Sequence, residues 1–141
     1  MFKKLFVFIL FLLLSNSFGQ LLNTDSVKVM EAKVIVENWL KLVDNGKYAE
    51  SWDEASTFLK GKVTKEEWIL TISNLKPSFG KTNTREIQSA QYSTELPGAP
   101  DGEYVVFQYK TNFKLKNNSI ETIVPMIDSD GKWRVSGYFV K

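Results

Sequence analysis

Acid–base chemistry has few places to reside in this sequence. Its 141 residues include no His and no Cys. That removes the side chain that titrates near neutral pH, the Ser-His-Asp and Cys-His nucleophiles, and the usual zinc ligands. A carboxylate working with Tyr or Arg is what remains, and the Arg residues are Arg85 and Arg134. A carboxylate beside Tyr109 or Arg85 could serve as a general acid or base. Arg also pairs bidentately with carboxylates, so a structural ion pair is the competing role. The chain reads as non-catalytic, with no metal and no cofactor expected.

Two other stretches invite chemistry and read better as turns. "DSDG" at 128–131 places Asp at alternate positions, as a calcium loop begins, but no acid follows at the far end. A hairpin turn accounts for it, Asp and Gly supplying the unusual backbone angles. In "LPGAPDG", 96–102, the prolines restrict the backbone and the glycines allow positive φ. No Gly run leads into a helix, so phosphate cradling has no support. A turn or an exposed recognition loop is left.

Aromatic residues offer binding chemistry instead. Trp52, Trp68 and Trp133 fall on the apolar stripes of their elements, where they pack a core or line a pocket with one N–H donor each. Tyr109 alternates in phase with Phe107 and carries a hydroxyl that needs a partner if buried. Trp52, Trp68, Arg85, Tyr109 and Trp133 are the candidate pocket residues.

The elements that must position them follow from periodicity. Val29, Ala32, Val36, Trp39 and Val43 recur at three- and four-residue intervals, predicting a helix capped by Asp25 or Ser26. Glu37 and Lys41 are spaced to pair on its other side, and Asn45-Gly46 closes it. Tyr48, Trp52, Ala55 and Leu59 predict one second helix that Gly61 stops. "TKEE" is a capping box opening a third, with Trp68, Ile72 and Leu75 as its stripe and Pro77 as its end.

Beyond Gly80 the period becomes two. Residues 84–94 predict a polar strand. Val105, Phe107, Tyr109, Thr111, Phe113 and Leu115 are expected to face inward, with Tyr104, Gln108, Lys110, Asn112 and Lys114 outward. "KNNS" turns the chain, residues 120–127 return, and Trp133, Val135 and Phe139 alternate with Arg134, Ser136 and Tyr138. Helices followed by four strands joined by short turns predict an α+β fold, a curved antiparallel sheet under a helical layer.

The N-terminus bounds the compartment. Lys3 and Lys4, the apolar run Leu5–Leu14 and the small residues of "SNSFG" have the layout of a secretory signal peptide. The run is too short to span a bilayer, and no Cys follows it to carry a lipid. Cleavage is expected after Gly19, leaving 20–141 as one domain, periplasmic or secreted. Losing Lys3 and Lys4 brings basic and acidic residues into balance, which gives nucleic acid no basic patch.

"LVDNGKYAESWDEAS", "VTKEEW", "LPGAPDGEYVVFQYKTNF" and "DGKWRVSGYFV" resemble, in that order, a family of small exported bacterial proteins known as a domain of unknown function. The resemblance implies an exported single domain of cystatin-like or nuclear-transport-factor-two-like shape, a cone of sheet closed by helices, and implies no activity. The expected function is to hold a small apolar or peptide-like ligand between helices and sheet. The alternative is an interaction or structural module of the cell envelope, with a carboxylate-dependent isomerase or hydratase third.

Overall fold

The computed structural model describes residues 24–141. The expected signal segment 1–19 and its expected cleavage point lie outside the described residues. Helix α1 (24–44) precedes α2 (Tyr48–Asp53), α3 (Thr57–Lys62) and α4 (Lys65–Phe79). Strands β1 (Thr82–Ser93), β2 (Tyr104–Phe113), β3 (Ser119–Ile127) and β4 (Trp133–Val140) follow. They form an open antiparallel sheet in the order β1-β2-β3-β4, each strand beside its neighbour in sequence. The fold is α+β. No helix among the described residues is long and apolar enough to cross a membrane.

The stripe on α1 does what its spacing requires. Ala32, Val36, Trp39 and Val43 are buried and Val29 is half-buried against the same core. Residue 24 is already helical, so Asp25 and Ser26 lie within α1 and not ahead of it. Glu37 pairs with Lys33 at 3.4 Å and not with Lys41. Gly46 closes the helix at φ +73°. Trp68 and Ile72 from α4 meet Phe107, Tyr109, Ile123 and Val135 of the sheet in one continuous apolar cluster. Each fully buried side chain of this kind contributes about 1.5–3 kcal/mol.

The second helix is two helices. Ser56 leaves helical geometry (ψ 157°), its hydroxyl caps α3 by accepting from Leu59 N–H, and its own N–H donates to Val135 C=O on β4. Docking onto the sheet breaks the run. Gly61 therefore sits inside α3, which ends at an extended Val63. The Thr64–Glu67 capping box forms with both reciprocal bonds. Pro77 does not end α4: the helix continues to Phe79, whose ring stacks on Phe113 at 5.2 Å. Packing outweighs the one backbone bond that proline removes. Gly80 then turns the chain at φ +73°, where a Cβ would stand 3.1 Å from Leu115 Cγ.

Four residues depart from the predicted alternation. Leu115 is 66% exposed, because Phe113 and Lys116 exchange backbone bonds and end β2. Tyr104 faces outward as expected yet is buried, because the 96–102 loop folds over it and Pro100 C=O accepts its hydroxyl. The Gly/Pro stretch is thus a turn that covers an aromatic ring. In β4 the register steps from Val124↔Gly137 to Pro125↔Val135, leaving Ser136 as an extra residue. Such a bulge shifts the pleat by one, so Tyr138 turns in against Trp39 and Phe139 turns out, 62% exposed.

Candidate functional site

The five candidate pocket residues do not converge. Trp52 is half-buried on α2, its Nε1–H donating to Val63 C=O at 3.0 Å, with Lys60 and Lys65 ammonium groups 5.1 and 5.9 Å from its ring centre. It ties α2 to the segments on either side of Thr64. Trp68 is buried, donates to Ser51 Oγ at 3.0 Å and lies 5.9 Å from Trp39. Tyr109 is buried in the same cluster, and its hydroxyl lacks a protein partner. Burial first, then nearby Glu37 and Glu121, push its pKa up to about 12. It is therefore a neutral phenol at physiological pH, with its proton held. Trp133 alone of the five lines an open groove.

Arg85 belongs to a closed polar network at the end of the sheet beneath the C-terminus of α1. Glu121, fully buried on β3, accepts from Arg85 Nε at 2.7 Å, from Thr111 Oγ1 at 2.6 Å and from Tyr138 OH at 2.6 Å. Asp44, at the end of α1, accepts from Arg85 Nη1 at 2.7 Å and Nη2 at 3.1 Å. Lys76 reaches Asp44 at 3.5 Å and Thr82 reaches it at 3.3 Å. Register explains the gathering: Arg85 is opposite Thr111, and Tyr109 opposite Glu121.

Burial opposes the charge on Arg85, but its hydrogen bonds to Asp44 and Glu121 override it and raise its pKa. Tyr138 is pushed up by burial and by the Glu121 carboxylate, so it donates and does not ionise. Burial would raise Asp44, yet Arg85 and Lys76 hold it below its ordinary 3.8. Since the folded-state pKa is depressed, the stabilisation is present above the unfolded value and lost as pH falls through the folded one. Urea midpoints should therefore fall as the pH drops below the ordinary carboxylate value of 3.8, and Asp44→Asn should flatten part of that drop. An acid limb unchanged by the substitution would remove Asp44 from the account.

Sequence reasoning missed Glu121 and Asp44. Glu121 shares the inward phase of Ile123, and an acid in that phase was the available signal. Nothing local marks Asp44, since its partners come from β1 and α4. The acids of the 128–131 turn are also occupied. Asp128 accepts from Thr57 N–H and hydroxyl at 2.8 and 3.0 Å, and Asp130 pairs with Arg134 at 2.6 Å. Burial would raise Asp128, but these bonds and Arg134 lower its pKa.

The groove has a volume of about 940 Å³ and lies where α1, α2 and the β3–β4 turn meet. Trp39 and Trp133 line its inner side, with Ile35 and Leu42 beside them and Val34, 56% exposed, at its mouth. Trp133 Nε1–H donates to Glu31 Oε2 at 3.3 Å, fixing the indole against α1. Glu50 and Asp53 of α2, and Glu54 just beyond it, share the lining with Lys132 of the turn and Arg134 of β4. Asp53 is matched by Lys65 at 2.8 Å and Arg134 by its Asp partners. Glu50 and Glu54 have no ion-pair partner among the described residues. The lining combines the apolar area of two indoles with the carboxylates of Glu31, Glu50, Asp53 and Glu54.

No curated protein and no solved structure matches the chain. A family model described as "Protein of unknown function (DUF4019)" matches residues 35–138, a span that runs from the groove wall on α1 to Tyr138 of the polar network. The chain belongs to that family of proteins of unknown function.

Proposed function

We propose that the protein is exported, is not an enzyme, and holds a small apolar or peptide-like ligand in the groove between α1, α2 and the β3–β4 turn. The observation that carries this reading is the volume of about 940 Å³ lined by Trp39 and Trp133, within the size range of ligand sites. The buried space between helices and sheet, where the ligand was expected, is taken by the packed cluster around Trp68 and Tyr109. The ligand therefore sits beside the core and not within it. Export draws its support from the layout of residues 1–19, and the cystatin-like or nuclear-transport-factor-two-like grouping from helices laid over an antiparallel sheet.

An isomerase or hydratase has less support. Glu121 is within hydrogen-bond reach of Arg85, but the pair is closed on itself and neither residue lines the groove. A neutral apolar dye, Nile red, tests the groove. Its fluorescence should rise with the wild-type protein, quench Trp emission, and lose both effects in Val34→Arg, a substitution at an exposed position that the fold tolerates. Dye binding that ignores Val34→Arg, or no binding at all, would overturn the reading.

A further inference from the structure

We propose that the groove takes a basic, amphipathic peptide segment of another protein, lying along α1. The inference rests on the reading that the groove binds a ligand and names the class of that ligand. Two independent features point to it. The first is extent. Val27, Met30 and Val34 are 46, 68 and 56% exposed, spaced three and four apart on one face of α1. They carry the apolar wall from the groove mouth towards the start of the described helix. From Val27 to Leu42 this wall runs about 22 Å at 1.5 Å per residue, the length of a helical segment of about 15 residues. A compact small molecule would leave most of it uncovered. Helix-in-groove binding reads such a surface through apolar anchors at three- and four-residue intervals.

The second feature is charge. Glu31, Glu50 and Glu54 border the apolar lining, and the nearby base without an ion-pair partner among the described residues is Lys132. The acids alone would define no site; here they flank a groove lined by two indoles. Lys or Arg residues flanking the apolar anchors of a peptide would meet this rim, and like charges would be rejected. The same rim disfavours a membrane surface, since anionic lipid would be repelled.

The test uses two helix-forming synthetic peptides of about 15 residues, with Leu at the anchor positions and either Lys or Glu elsewhere. Binding to the protein is read by fluorescence anisotropy, with Nile red displacement alongside. The Leu/Lys peptide should bind at least about tenfold more tightly than the Leu/Glu peptide. The double variant Glu50→Lys/Glu54→Lys should abolish or invert that preference, and Val34→Arg should weaken the Leu/Lys peptide. Equal affinities, or a preference untouched by the Glu50/Glu54 variant, would overturn the peptide class. Nile red binding that Val34→Arg removes would in that event leave the groove reading standing. Loss of dye binding as well would remove both. Co-sedimentation with phosphatidylcholine vesicles that Val34→Arg abolishes would assign the stripe to lipid and overturn the proposal.

Discussion

Arg85→Met should destabilise the protein by about 3–5 kcal/mol, the cost of leaving a buried charge without its partner. Glu121 is fully buried, and Arg85 is its cationic partner at 2.7 Å. Without the guanidinium, the Thr111 and Tyr138 hydroxyls still donate to Glu121, but two neutral donors do not replace a paired charge. The carboxylate is then a buried charge with no cation beside it. Asp44 suffers less, being partly exposed and still faced by Lys76. The double variant Arg85→Met/Glu121→Leu removes both charges from the interior and should recover much of the loss, since an apolar pair often substitutes for a buried ion pair without penalty. Urea unfolding of wild type, both single variants and the double variant closes the cycle. An Arg85→Met variant within about 1 kcal/mol of wild type would mean that Glu121 is not a buried charge in solution.

Trp39→Ala should cost a similar amount, about 3–5 kcal/mol for deleting a large buried aromatic. Trp39 is 2% exposed and sits where three parts of the fold meet. Its ring lies 5.9 Å from Trp68 of α4 and 5.4 Å from Tyr138 of β4. Its Nε1–H donates to Ser51 C=O at 2.8 Å, holding α2 against α1. The truncation therefore opens a cavity, strands a buried carbonyl and loosens the inner side of the groove. Trp39→Phe keeps most of the packing and loses the hydrogen bond, so it should fall between, at about 1–3 kcal/mol. Denaturant midpoints for both variants, with near-UV circular dichroism for aromatic packing, check the order. Equal effects for Ala and Phe would place the energy in the hydrogen bond and not in the ring.

What could be read without coordinates was whatever depends on neighbours in sequence. The α1 stripe, the Thr64–Glu67 box and the alternation through β2 are local patterns with local causes, and each appears where its spacing puts it. The larger failures are long-range. Ser56 breaks a helix because its N–H meets Val135 on a distant strand. "WRVSGYFV" alternates cleanly on paper, and only its pairing with β3 shows that Ser136 is the extra residue. Arg85 was singled out, but nothing local chooses Asp44 and Glu121 from the chain's 16 acids. The groove draws on α1, α2 and the β3–β4 turn, so no contiguous motif could announce it. Trp52, Trp68, Trp133 and Tyr109 are marked by inward phase, which does not separate a pocket wall from a core, and Arg85 by its ion-pairing chemistry; of the five, Trp133 alone lines the groove.

The outer rim of β1 has a consequence for how the protein behaves when crowded. Asn83 and Gln88 are extra residues relative to β2, so regular pairing is confined to Thr84–Ile87 and Ser89–Ser93. A recruited strand needs an unbroken row of about six or seven residues to stack into a fibril, and interrupted edges are poor templates. At the opposite rim, Ser56 already occupies Val135 C=O. The broken β1 rim is therefore a poor template for accretion, and the β4 rim is engaged at Val135.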